Sequence, residues 1–292
     1  MNRLFKAVGI SKQNFHQRMD RFLVIEEEKA QLRTIIRQIR EDHPTMGAKV
    51  IYHMIRPTCM GRDCFIDFYN NEGFRVKKIR NYRKTTNSNG VVRFPNLLEG
   101  YELTGVNQVF VSDITYYEMR GRFYYLTFIM DLYSRKIKGY AASQTLRAVD
   151  TTIPALKKVL KTLPQDHKAI FHSDGGGQYY SKMFLALTKN RFNNSMCETV
   201  YENAHAERVN GTIKNSYVKP ACPTNIRELT KVLQKAVYKY NDQRPHQSLG
   251  LLTPSQFEEM SLNYQQNFKK LTKEKRSKKE NSYNCNHMFN IT

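Results

Sequence analysis

Asn203-Ala204-His205-Ala206-Glu207-Arg208-Val209-Asn210-Gly211-Thr212-Ile213-Lys214 reads as the opening of a helix. Asn203 is a capping type, and most residues after it tolerate a helix. Glu207 and Lys214 are two helical turns apart, so they share nearly one face. Alone, they read as a solvated surface pair of little energetic weight. Two upstream stretches change that reading. Val111-Ser112-Asp113-Ile114-Thr115-Tyr116-Tyr117 and Phe171-His172-Ser173-Asp174-Gly175-Gly176-Gly177-Gln178-Tyr179 each place one aspartate at or near the end of a β-like apolar run. Two aspartates from strands and one glutamate from a later helix make a three-carboxylate oxygen site suited to Mg²⁺.

Working outward, Val109-Phe110-Val111 reads as a buried strand ending near Asp113. Residues 123–130 are aromatic and β-branched, and 136–141 form a third run. Short turns between them predict an antiparallel meander. A helix follows over 148–163, then a strand at 168–172, a short helix at 182–189, a short strand at 194–196 and the helix of Glu207. This is the element order of an RNase H-like α/β layer, a mixed five-stranded sheet flanked by helices. By analogy with that fold, its first and fourth strands are neighbours, bringing Asp113 beside Asp174. Asp131 also ends a strand, and it is read as capping the turn into Ser134-Arg135.

Before this core, Ser11 caps a helix whose apolar positions Leu32, Ile35, Ile36 and Ile39 recur at helical spacing until His43-Pro44. Two short helices follow, Ala48–Ile55 and one from about Arg62 to Asn71, then a basic stretch. This helix-turn-helix-like region suits docking on DNA, or reads as a small bundle with a basic edge. The expected divisions are residues 1–85 (helical, DNA-binding), 86–100 (linker), 101–262 (catalytic core with a C-terminal helix) and 263–292 (a basic, disordered tail).

The 292 residues carry a formal net charge of +21 and a pI near 9.7. That excess favours a polyanion, with nucleic acid ahead of a membrane surface. No apolar run approaches the ~20 residues of a membrane span, and the N-terminus lacks a signal-peptide pattern. Five irregularly spaced cysteines argue against a disulfide framework and for a reducing cytosol. His53, Cys59 and Cys64 lack the spacing of a zinc site.

With these segments in view, the chain resembles the orfB-type DDE transposases of bacterial insertion sequences, whose catalytic core is related to retroviral integrases. The resemblance runs from about residue 30 to 260. It is carried by Asp-Ile-Thr-Tyr around Asp113, Asp-Leu-Tyr-Ser-Arg-Lys at 131–136, His-Ser-Asp-Gly-Gly at 172–176, Asn-Ala-His-Ala-Glu-Arg at 203–208 and Tyr-Asn-Asp-Gln-Arg-Pro-His-Gln-Ser-Leu at 240–249. It implies Asp113, Asp174 and Glu207 as catalytic and metal-binding residues, with Lys214, Arg208, Arg244 and His246 contacting DNA. One departure is the interval from Asp174 to Glu207, a few residues shorter than the family's usual spacing. This brings Glu198 and Glu202 forward as rivals for the third carboxylate. Helical phase favours Glu207 over Glu202.

The resemblance further implies metal-dependent strand cleavage and strand transfer during transposition. Two Mg²⁺ ions, or Mn²⁺ in their place, ~3.5–4 Å apart would clamp the attacking and leaving oxygens. The implied partners are double-stranded DNA (element ends and target), an upstream-frame helix-turn-helix protein or fusion, and further copies of the chain on DNA. The expected location is the bacterial cytoplasm, at the nucleoid and away from membranes. Two other readings stay open: a DNA-binding protein with an inactive core, and an RNase H-like nuclease acting on hybrid.

Overall fold

The computed structural model describes Phe5 and residues 9–76, 94–196 and 204–264. The chain divides into two compact units, Met1–Tyr82 and Arg83–Thr292.

In the first unit, α1 spans Lys12–Asp42, with the Ser11 hydroxyl accepting from Asn14 N–H and His43 at its C-cap. Helices α2 (Ala48–Ile55) and α3 (Arg62–Asn71) pack on its second half. Leu32, Ile36, Met46, Ile51, Phe65 and Tyr69 form the core. Tyr69 donates to the Met46 carbonyl at 2.9 Å, and Arg33 pairs with Glu72 at 2.8 Å. The basic run predicted to follow lies mostly outside the described residues.

The second unit is built on a five-stranded sheet of order β3-β2-β1-β4-β5. Its strands are β1 (Val109–Met119), β2 (Arg122–Asp131), β3 (Ile137–Ser143), β4 (Ala169–Ser173) and β5 (Phe192–Met196). The first three pair antiparallel, and β4 and β5 run parallel to β1. Parallel pairing needs crossovers, which α4 (Thr152–Thr162) and α5 (Lys182–Thr188) supply. Strand alternation sends Phe110, Ile129 and Phe171 to the side of α4 and α5, and Val109, Val111, Leu126 and Phe128 to the other. That other side is covered by α6 (Ala204–Ile213) and α7 (Ile226–Tyr238). The result is the helix–sheet–helix sandwich of an RNase H-like core. At Gly139 a Cβ would stand 2.3 Å from the Ala155 carbonyl oxygen, so α4 lies closer to β3 than any side chain there would permit.

The helix carrying Glu207 runs further than its sequence suggests. Past Lys214, where the sequence reading stopped, α6 continues through a π turn, Lys214–Val218, and a last turn, Lys219–Ala221. Lys219 N–H reaches back to the Lys214 carbonyl, and Pro220 is accommodated at the start of that last turn. A second π turn, Lys239–Gln243, ends α7. It buries Asn241, whose Oδ1 accepts from Ile137 N–H and whose Nδ2 donates to the Ile137 carbonyl, both at 2.9 Å. A helix over 254–264 is tied to β3 by the buried Glu258, paired with Lys136 at 2.8 Å and also with Lys138.

Candidate active site

In the parallel pair β1–β4, Val111 faces His172 and Ser112 faces Ser173, so the next residue on each chain is an aspartate, Asp113 and Asp174. Asp113 shares the face of Val109 and Val111, which α6 covers. The first turn of α6 carries Glu207, and Asn210 follows three residues on along the same side. Asn210 Nδ2 donates to Asp113 Oδ2 at 2.6 Å, while Asp113 Oδ1 accepts from Ile114 N–H at 2.8 Å. Asn210 Oδ1 is buried without a hydrogen-bond partner among the described residues.

The acids act on one another. Burial, then repulsion from Asp174, then from Glu207 push the Asp113 carboxyl from 3.8 to about 7, against the opposing hydrogen bonds of Ile114 N–H and Asn210. Asp174 is exposed and accepts from Gly176 N–H at 3.1 Å. Partial desolvation raises its carboxyl too, although water reaches it. Gly175 turns the chain just past Asp174 at φ +71°, a conformation open to glycine. Beneath the strands, the fully buried Tyr179 hydroxyl sits 2.9 Å from Ser112 Oγ, which donates to the Phe128 carbonyl. Burial keeps that phenol protonated, so Tyr179 is a structural donor under the site. His172 is likewise buried, its Nδ1 2.9 Å from Ser195 Oγ.

Lys214 reaches back to β1. Its Nζ donates to Thr115 Oγ1 at 3.0 Å and to the Tyr116 carbonyl at 3.4 Å, and lies 5.3 Å from the centre of the Tyr116 ring. Burial lowers its ammonium and Asp113 acts in the opposite sense. The structure therefore gathers Asp113, Asp174, Glu207 and Lys214. Arg208 projects from a different side of α6, in electrostatic reach of Arg135 and Tyr240, and Arg244 and His246 act on that same Tyr240 region. Asn210 and Arg135 escaped the sequence reading. Asn210 lies on the helical phase of Glu207, a signal that was available. Asn203, Glu198 and Glu202 lie outside the described residues.

Asp131 takes the turn role expected of it. Fully buried, it accepts from Asn107 N–H at 2.8 Å and from the Ser134 N–H and hydroxyl at 2.7 and 2.6 Å.

Among the described residues, no three His, Cys, Asp or Glu side chains are placed to hold an ion together as they stand. The donor chemistry nonetheless suits a hard divalent cation: oxygen-only ligands, mutual repulsion that raises Asp113, and the orphaned Asn210 Oδ1 beside them. Glu207 is exposed, so its side chain is the one with room to swing inward.

Models of the integrase core domain match residues 104–200 and 190–254, a span that includes all three carboxylates. The uncharacterized 31 kDa protein of insertion element IS600 from Shigella sonnei is 32% identical over 206 residues, 68% of this chain and 75% of that protein. The chain belongs to the integrase-core transposases of insertion sequences. Transposase InsF for insertion sequence IS3A from Escherichia coli K12 is 29% identical over 65% of this chain and 68% of its own length. The HTLV-2 integrase catalytic core domain, solved in complex with magnesium, aligns over 53% of this chain and 97% of that one, at 20% identity and a TM-score of 0.43. Among the described residues of this transposase-family chain, no helix is long and apolar enough to cross a membrane.

Proposed function

We propose that this chain cleaves and joins DNA strands at the ends of an insertion sequence, with Asp113, Asp174 and Glu207 as the catalytic set. The observation that carries the reading is the β1–β4 register, which sets two aspartates side by side under a helix bearing a glutamate and an asparagine. The three carboxylates would hold Mg²⁺ or Mn²⁺. Such ions supply Lewis-acid stabilisation of the phosphoryl oxygens and activate water or a 3′-OH as nucleophile. Asn210 orients Asp113 and favours its ionised form. Lys214 is held against β1 beside Asp113, where its positive charge suits a DNA phosphate. Arg208, Arg244 and His246 would extend the DNA-binding surface. A second copy of the chain and an upstream-frame partner belong to the same proposal, since two element ends must be held together.

Labelled element-end duplex, the purified chain and Mg²⁺ or Mn²⁺ make the test. Asp174→Asn and Glu207→Gln should each abolish joining yet leave duplex binding intact, while Glu202→Gln stays active. Wild-type protein that binds ends but never joins them, with or without the upstream reading-frame product, would leave a DNA-binding protein with an inert core. Cleavage of RNA–DNA hybrid in preference to element ends would point instead to a nuclease.

Asn210→Ala tests the orienting contact. We expect joining to fall ~10–100-fold, the usual loss for a group that positions a metal-binding carboxylate. The hydrogen bond from Asn210 lowers the Asp113 carboxyl. Its removal therefore raises that group further, and at sub-saturating metal the alkaline rise in activity should move to higher pH. An unmoved pH profile would show that Asn210 does not act through Asp113.

A further inference from the structure

On the side of α6 away from Asn210, three arginines and a histidine drawn from distant parts of the chain converge. Arg135 closes the β2–β3 turn at φ +61°, in the left-handed region. Arg208 is exposed one residue after Glu207. Arg244 leaves the second π turn and hydrogen-bonds Tyr217. His246 packs edge-on against Tyr240, ring centres 4.6 Å apart. All three guanidiniums act electrostatically on Tyr240. None of them makes an ion pair among the described residues. Asp131 is in electrostatic reach of Arg135, but both its oxygens are occupied by Asn107 and Ser134.

The cluster is short of acceptors as well as of negative charge. Arg135 Nη1 and Arg244 Nη1 are buried with no hydrogen-bond partner among the described residues. A buried donor left unmade is costly, and a ligand that brings acceptors would relieve that cost. Burial lowers the Arg135 guanidinium, with Tyr240 and Asp131 acting against it and Arg208 adding to it, and burial and Arg244 hold the His246 imidazole down at about 4. An anion with several acceptor oxygens would relieve both deficits. Forked guanidinium donors suit a phosphate better than a point charge does.

We propose that Arg135 and Arg244, with Arg208 at the rim, form a binding site for a single backbone phosphate of the DNA, separate from the phosphate at the carboxylates. The proposal rests on the strand-transfer reading, and it gives α6 two roles. Glu207 and Asn210 face the reacting phosphate, while Arg208 faces a second phosphate that fixes the register of the strand.

Two measurements on the full chain test it. In EDTA, log Kobs for a blunt duplex is followed against log [NaCl]. Arg135→Gln and Arg244→Gln should each flatten the slope by about 0.9, the value of one phosphate contact. The double variant should flatten it little further, because both hold the same phosphate. Separately, inorganic phosphate at ionic strength matched with NaCl should raise the Tm of wild-type protein and leave that of Arg135→Gln unchanged. Arg135→Lys keeps the charge without the fork, and should retain the slope but lose most of the phosphate-dependent Tm gain. Unchanged slopes together with an equal phosphate response in wild type and variants would overturn the site and leave strand joining standing. Lower Tm in the variants regardless of phosphate, with slopes unchanged, would make the arginines purely structural and overturn it equally. Failure of the strand-transfer reading shows itself differently, as loss of joining without any change in the phosphate response.

Discussion

Asp113→Asn should abolish strand joining, by ~10³-fold or more, and at the same time make the metal-free protein more stable at pH 8. The loss of activity follows from removing a carboxylate that no neighbour replaces. The gain in stability follows from linkage. The Asp113 carboxyl titrates near 7 in the folded protein against an ordinary 3.8. The folded chain therefore holds this proton more tightly than the unfolded chain does. Stability falls as pH rises through that window, and the full cost is present above pH 7. Titrating near 7 instead of 3.8 corresponds to at most ~4 kcal/mol, and partial access to water reduces it to about 2. At ~2–4 °C per kcal/mol, the variant should melt about 4–8 °C higher than wild type in EDTA at pH 8. At pH 4 the difference should vanish. Mn²⁺ should stabilise wild type and not the variant. An Asp113→Asn protein that melts lower than wild type at pH 8 in EDTA would show that Asp113 is not strained by its acidic neighbours.

The largest loss of stability is expected at Asp131. Alanine there leaves three buried donors unmatched, Asn107 N–H, Ser134 N–H and Ser134 Oγ–H. At roughly 1–3 kcal/mol for each unmade bond, softened by relaxation, Asp131→Ala should cost about 3–5 kcal/mol. Asp131→Asn should cost about 2, because its amide N–H₂ must face a donor where the second carboxylate oxygen stood. Urea midpoints at constant m-value measure both. A loss under about 1 kcal/mol for the alanine variant would mean that the turn is held by other groups. The turn also presents Arg135, so Asp131→Ala should weaken the phosphate-dependent stabilisation along with the fold.

The acidic half of the site was legible because strand and helix periodicity carry it. Apolar runs locate β1 and β4, and analogy with the RNase H-like fold makes them neighbours, so the pairing of Asp113 and Asp174 followed from local pattern plus that analogy and is met by the observed register. The basic half was not legible as a unit. Arg208, Arg244 and His246 stood out singly as basic residues in recurring motifs. Arg135 looked like one turn residue among several, and its meeting with Arg244 spans more than a hundred residues of chain. The continuation of the helix past Lys214 was hidden because Pro220 reads as a breaker. A π turn is set by tertiary packing of Tyr217 and Val218 rather than by a local signal.

Asn241 has a consequence beyond folding. β3 is an outer strand, and its Ile137 N–H and carbonyl are the groups another chain would seek to pair with. The Asn241 carboxamide occupies both, as a partner strand would. At the opposite margin, Leu97 N–H donates to Ser195 Oγ and Met196 N–H to the Pro95 carbonyl, occupying the end of β5. Under the proposed function, a protein carrying this much positive charge would gather copies along one DNA molecule, where sheet margins would come close. Occupied at these points, the margins offer less of a template for cross-strand aggregation, which leaves assembly on DNA to surfaces that read the nucleic acid.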